Sequence, residues 1–269
     1  MTSRPESTAE PEVVKRCCAR LYESDIVRAL LGESFHPGGL ELTERLGTLL
    51  QLTPASRVLD AASGIGTSAM FLAERFGCTV VGIDYSVTNV ARARDEAIRR
   101  GRAERVSFEA GDVEALPFPD ASFDAVLCEC AFCTFPDKSA AAREFARVLR
   151  PGGRVALSDV TREPSSDADL SDLFAWIACL ADARPQEAYA DALRAAGFSG
   201  VVPESHRQAL LDLVHQIEGR LLTVEVLGGL RKIDLSGVNL DAGKRLARAA
   251  RTAIESDRLG YAIVHAVNA

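Results

Sequence analysis

The chain has 269 residues, 47% of them hydrophobic and 26% charged, a balance that suits one full domain, or one domain with a sizeable attachment. Its formal net charge of -7 argues against nucleic acid or an anionic membrane as the main partner, since both attract basic surface, and favours a neutral or cationic small substrate. No run approaches the roughly 20 apolar residues of a membrane span, and residues 1–12 are polar, so the expected compartment is the cytoplasm, with reduced thiols.

Residues 2–12 read as a frayed tail. Apolar residues at helical spacing predict helices over 13–30 and 40–50, broken by Glu33-Ser34-Phe35-His36-Pro37-Gly38-Gly39. Strands and helices then alternate: strand 57–61, helix 67–75, strand 79–83, helix 87–101, strands 106–110 and 123–128, helix 138–149 and strand 154–158. Helices at 170–180 and 185–196 follow, the second closed by Gly197. A strand at 201–206, amphipathic helices at 208–230 and 241–258, and a closing strand at 261–267 complete the chain. This alternation predicts a doubly wound α/β fold, a mostly parallel seven-stranded sheet with helices on both faces. The expected organisation is a helical segment at 1–50 covering the active site, a core at 51–206, and a helical insertion with the closing strand at 207–269.

The strongest local signal is Val58-Leu59-Asp60-Ala61-Ala62-Ser63-Gly64-Ile65-Gly66-Thr67, which reads as strand, glycine turn and helix. Glycine lets backbone approach a ligand closely at the carboxyl end of a strand. Asp84 ends the next strand, eighteen residues after Gly66, where a carboxylate can accept both hydroxyls of a ribose. A nicotinamide enzyme shares these two features. The turn, however, lacks the third glycine that helps a helix pack close to a pyrophosphate. Gly111-Asp112-Val113 also places a second carboxylate where an adenine amino group can be read.

With Ala115-Leu116-Pro117-Phe118, Ser122-Phe123-Asp124 and Leu149-Arg150-Pro151-Gly152-Gly153 as later landmarks, this order resembles the class I S-adenosylmethionine-dependent methyltransferases, from about residue 40 to 160. The resemblance implies a Rossmann-like fold with S-adenosylmethionine as cofactor. It would set Asp60, Gly64 and Gly66 against the methionine part, Asp84 at the ribose, and Asp112 and Val113 beside the adenine. Ala62, Tyr85 and Cys128 complete the expected cofactor contacts, and Ala62 stands where many members have glycine. His36-Pro37-Gly38-Gly39 reads either as a cover over the cofactor or as a plain turn.

The seven cysteines, Cys17, Cys18, Cys78, Cys128, Cys130, Cys133 and Cys179, are an odd, scattered set and form no disulfide framework. A single free cysteine is most often a small buried hydrophobe. Cys128, Cys130 and Cys133 are different because they crowd the carboxyl end of the fourth strand, where ligands of open α/β sheets sit. If the strand runs that far, Cys128 and Cys130 share a face. Thiolates suit a soft centre such as trivalent arsenic, whose lone pair needs no general base.

Here the chain resembles the arsenite methyltransferases. Cys130-Ala131-Phe132-Cys133-Thr134-Phe135-Pro136-Asp137-Lys138 is similar to their segment with a cysteine eight residues before a lysine. Cys179, followed by Ala183 and Tyr189, is similar to their next arsenic-binding cysteine, although Asp182 stands where glycine is common. The family also draws thiols from its N-terminal region, where Cys17 and Cys18 would point about 100° apart on a helix. The resemblance implies As(III) held by Cys130, Cys179 and one of Cys17 or Cys18, with Cys133 and Cys128 in reserve and Cys78 in the core. Glutathione or thioredoxin would then be the reductant.

Three readings stand at this point. The expected one is methylation of arsenite or methylarsenite, or of a similar soft element such as selenium or tellurium. The second is methylation of an oxygen, nitrogen or carbon of an organic metabolite, with Glu129, His36, Asp159 or Tyr22 as acid or base. The third is a non-catalytic thiol sensor, against which the intact cofactor signature argues.

Overall fold

Short runs rich in Val, Ile and Leu form the strands, and the amphipathic stretches between them form the helices. The computed structural model describes residues 12, 15, 23, 36–163, 182–229 and 240–269. In chain order the elements are α1 (Gly39–Leu49), β1 (Arg57–Ala61), α2 (Thr67–Phe76), β2 (Thr79–Asp84), α3 (Val87–Arg99), β3 (Val106–Ala110) and β4 (Phe123–Glu129). Then come α4 (Lys138–Val148), β5 (Leu149–Arg162), α5 (Gln186–Ala195), β6 (Phe198–Ser205), α6 (Arg207–Gly229), α7 (Leu240–Glu255) and β7 (Leu259–Asn268). The expected helix at 170–180 lies outside the described residues, as does that at 13–30 apart from residues 15 and 23, and so do Cys17, Cys18, Cys179 and Tyr22.

The seven strands form one sheet in the order β3-β2-β1-β4-β5-β7-β6. β1 to β5 run parallel, while β7 pairs antiparallel with both β5 and β6. This is the expected doubly wound, mostly parallel sheet. Its order reverses between β1 and β4, so the carboxyl ends of β1, β2 and β4 open onto one crevice, where open α/β sheets hold ligands. The strand centres are dry: Val58, Leu59, Ile83, Val126, Leu127 and Val155 are each 0% exposed. Parallel strands covered on both faces require that unbroken apolar pattern.

Local chemistry fixes where the helices begin and end. Ser86 caps α3 by accepting from Asn89 N–H at 3.0 Å, and Asp137 caps α4 by accepting from Ala140 N–H at 2.8 Å. Gly77 closes α2 in the left-handed conformation, φ 71°.

Two strands begin well before their sequence patterns suggest. β5 begins at Leu149 rather than 154, because Pro151-Gly152-Gly153 is absorbed as an irregularity between the Phe123–Leu149 and Ala125–Arg154 pairings. β6 begins at Phe198 rather than 201, with a register shift between Ser199 and Val202 that takes up Gly200. Glycine breaks the alternation on which a strand is recognised, so both ends are hidden in the sequence.

Two helices stand between β6 and β7, as expected of the C-terminal insertion. α7 buries Ala247, Ala250, Ala253 and Ile254, one helical stripe, while α6 and α7 both contact β7. β7 then lies inside the main sheet, between β5 and β6. Among the described residues, no helix is long and apolar enough to cross a membrane.

Candidate active site

The turn after β1 is built for close approach. Gly64 and Gly66 take φ 54° and 80°, and Ala62 takes φ 61°, a left-handed conformation that costs a residue with a Cβ roughly 1–2 kcal/mol. The two glycines differ in use. A Cβ at Gly66 would meet the Phe108 ring at 2.3 Å, so that glycine serves packing, whereas a Cβ at Gly64 would meet nothing within 4 Å. Gly64 therefore faces open space at the mouth of the crevice.

Asp84 ties this turn to the next strand. One carboxylate oxygen accepts from Gly64 N–H and the other from Ser86 N–H, both at 2.8 Å. Burial raises its pKa, while the donors Ser86, Gly64 and Asn89 pull the other way. Asp60, 3% exposed, has a pKa well above the usual carboxylate range, chiefly through burial and then through the negative charges of Glu129 and Asp84. Asp60 Oδ2 and Asn89 Oδ1 are buried and have no hydrogen-bond partner among the described residues. A crevice with several carboxylates and orphaned acceptors asks for a ligand that carries donors and positive charge.

At the far side, Asp112 accepts from Glu114 N–H at 3.0 Å, which shapes the turn after β3. Lys15 reaches Asp112 at 2.7 Å and Glu114 at 2.5 Å. Burial works against the Lys15 ammonium, but its hydrogen bonds to those two carboxylates prevail and raise its pKa.

The crevice brings together Asp60, Ala62, Gly64, Asp84, Tyr85, Asp112 and Val113 of the expected cofactor residues. Gly66 stands behind them. Lys15, His36, Asn89 and Glu129 also line it. Glu129 and His36 carried an acid or base role in the sequence, while Lys15 and Asn89 carried none. Ser86 and Asn89 had a signal that could have found them, a capping residue directly after the strand that ends in Asp84. Lys15 had none.

The cysteines divide differently from the expected pattern. Cys130 lines the crevice, but Cys128 and Cys133 are 0% exposed and do not. The reason is local: β4 ends at Glu129 and Cys130 takes φ 53°, so strand alternation stops there and Glu129 and Cys130 both turn to the cleft. Cys128, expected among the cofactor contacts, accordingly does not line the crevice. Burial, then the neighbouring Asp159, Asp60 and Glu129, raises its thiol pKa well above normal, which opposes a thiolate.

Cys133 is held in the protein interior. Its N–H donates to Asp159 Oδ2 at 2.8 Å and its thiol also hydrogen-bonds that carboxyl. Asp159, 1% exposed, is thereby committed to Cys133 and Val160 and is not available as an acid or base in the cleft. Cys78 is a core residue whose thiol donates to Leu72 C=O at 3.5 Å; burial pushes its pKa up to about 11. Among the described residues, no group of three His, Cys, Asp or Glu side chains is placed to hold a metal ion.

The segments that carried the arsenite resemblance do meet. Lys138 reaches Asp182 at 2.5 Å, and Arg184 reaches the other oxygen of that carboxylate at 2.7 Å. Asp182, which departs from the expected glycine, is thus an ion-pair partner of the Pro136-Asp137-Lys138 stretch.

Comparison with known proteins agrees with this geometry. Residues 59–157 match a family described as a methyltransferase domain. Phosphoethanolamine N-methyltransferase of Triticum aestivum is 34% identical over 189 residues, 70% of this chain and 37% of that protein. An arsenite methyltransferase of Halobacterium salinarum is 34% identical over 153 residues, 56% of this chain and 39% of that protein. The chain thus spans about two fifths of the length of each. Phosphoethanolamine N-methyltransferase 2 of Haemonchus contortus, solved with phosphomonomethylethanolamine and S-adenosylhomocysteine, superposes with a TM-score of 0.81 at 20% identity, covering 94% of this chain and 59% of that one.

Proposed function

From a chain that carries a class I S-adenosylmethionine-dependent methyltransferase domain, with S-adenosylmethionine as its cofactor, we propose methyl transfer to an oxygen or nitrogen of a small organic molecule. The observation that carries this reading is the wall at the end of β4. Glu129 faces the cleft there with Cys130, while Cys128 and Cys133 are turned away from it.

The cofactor residues fit their roles on physical grounds. Asp60 and its orphaned oxygen suit an ammonium group, and Asp84, already fixed by two backbone N–H donors, suits a pair of hydroxyls. The open face of Gly64 leaves room for the ligand's backbone approach, and Asp112 with Val113 offers a polar and an apolar edge to a flat base. When bound, the cofactor supplies a methyl group on a positively charged sulfur. The chain's part is to hold an acceptor in line with that methyl, to screen the reaction from water, and to surround the positive charge with carboxylates.

A second reading is supported by Cys130 on the cleft wall and by the likeness to an arsenite methyltransferase: arsenite or methylarsenite as substrate, with glutathione or thioredoxin as reductant. Cys179 and one of Cys17 or Cys18 would join Cys130. We place either activity in the cytoplasm. Incubation with methyl-labelled S-adenosylmethionine separates the two. One set holds ethanolamine and catechol, the other arsenite with glutathione. Label in an organic product, with Cys130→Ser keeping at least about a tenth of the rate, is the expected result. Label in arsenic alone, lost in Cys130→Ser, would overturn the first reading in favour of the second.

A further inference from the structure

Glu129 is 5% exposed, yet neither Lys nor Arg reaches it among the described residues. Its neighbours come from the start of α1, more than eighty residues away in sequence. Thr43 Oγ1 lies 3.1 and 3.3 Å from its two oxygens. His36 Nε2 lies 3.6 Å from Oε2 and 3.4 Å from Thr43 Oγ1, and its Nδ1 faces Pro37 C=O at 3.3 Å. Among the described residues, the other titratable groups near Glu129 are Asp60 of β1, Cys128 and Cys130 on its own strand and loop, and Tyr261 of β7.

A carboxylate locked to a guanidinium keeps one charge. One that accepts only from a hydroxyl, with an imidazole close by, can gain a proton without breaking a guanidinium or ammonium pair. We propose that Glu129, with His36 and Thr43 as positioning residues, is the proton-accepting group for an acceptor whose nucleophilic atom carries a hydrogen, a hydroxyl or a protonated amine. This rests on the methyl-transfer reading above and narrows its substrate class. An arsenic lone pair has no proton to give.

The O–H or N–H proton passes to a Glu129 oxygen. The freed lone pair on the acceptor forms the bond to the methyl carbon. The carbon–sulfur bond pair stays on sulfur and cancels its positive charge. Glu129 returns the proton to water once the methylated product has left.

The test needs no known acceptor. S-adenosylmethionine carries a positive sulfur and S-adenosylhomocysteine does not, so their binding beside a carboxyl group that takes up a proton should release different numbers of protons. Calorimetric titration of each in two buffers of different ionisation enthalpy, near pH 7, measures that number. The expected result is a larger release, by a fraction of a proton per site, for S-adenosylmethionine. The difference should vanish in Glu129→Gln and survive in part in Glu129→Asp, which keeps a carboxyl group.

A difference that persists unchanged in Glu129→Gln would belong to Asp60 and overturn the proposal. A purely structural role would lower thermal stability in Glu129→Gln and leave the proton count alone, which also overturns it. Should Glu129→Gln not fold, His36→Asn must abolish the same difference. If neither ligand binds the parent chain, the methyl-transfer reading itself falls, an outcome distinct from binding without a difference.

Discussion

Replacing Asp84 by alanine weakens S-adenosylmethionine binding by more than about tenfold, the loss expected when two hydroxyls give up one charged acceptor. The residue has a double role. It would accept from the ligand on its open side, and on its inner side it already accepts from Gly64 and Ser86 N–H at 2.8 Å. Alanine therefore also releases the glycine turn and the start of α3, leaving two backbone donors without their partner. Asp84→Asn keeps one of those acceptors and loses the charge, so its affinity falls between parent and alanine. Calorimetry on the three proteins ranks them. An unchanged dissociation constant in Asp84→Ala removes this carboxylate from the site.

Asp60→Asn has opposite effects on binding and on stability. Asp60 is buried, and burial with the charges of Glu129 and Asp84 raises its pKa in the folded chain. The folded state therefore binds a proton more readily than the unfolded one. The stability this contributes is fully present below the unfolded pKa, and is lost as pH rises from there through the folded pKa. Without ligand, folding at neutral pH must either bury this charge or take up a proton, and both oppose folding. The uncharged amide would remove that cost, so the ligand-free variant melts at a higher temperature than the parent at pH 7, and the gap narrows toward pH 4. The same variant loses the negative group that would face the ligand's ammonium, and its S-adenosylmethionine affinity falls. Thermal melts from pH 4 to 8, with and without S-adenosylmethionine, check both halves. A ligand-free variant that melts lower than the parent at pH 7 contradicts the account.

The cofactor side was legible because its residues sit on local landmarks. Asp60 and Asp84 stand at the carboxyl ends of β1 and β2 and Asp112 just after β3, and parallel strands of similar length bring such ends together without further instruction. The acceptor side was legible only in part. Cys128 and Cys130 alternate in sequence, but the left-handed backbone at Cys130 sends Glu129 and Cys130 to the cleft instead. Glu129 and His36 were candidate acids or bases, yet nothing local joins them or adds Thr43, since their meeting depends on how α1 packs across the end of β4. The long starts of β5 and β6 were hidden by glycine-bearing irregularities. The thiol trio inferred from resemblance rests on Cys17, Cys18 and Cys179, all outside the described residues, and on Cys130 alone within them.

The most direct test of a cofactor site at the ends of β1, β2 and β3 is a substitution that fills it without disturbing the core. Gly64 is the place, because a side chain there would enter open space, whereas one at Gly66 would strike Phe108; its left-handed backbone, φ 54°, strains any side chain, so Gly64→Ala serves beside Gly64→Val as the control for strain. Titration with S-adenosylhomocysteine should show affinity reduced by more than about tenfold in Gly64→Val and by less in Gly64→Ala, as expected when the larger side chain occupies the ligand's place, beside a parent chain that binds one equivalent. A folded Gly64→Val protein that binds S-adenosylhomocysteine as tightly as the parent would contradict it.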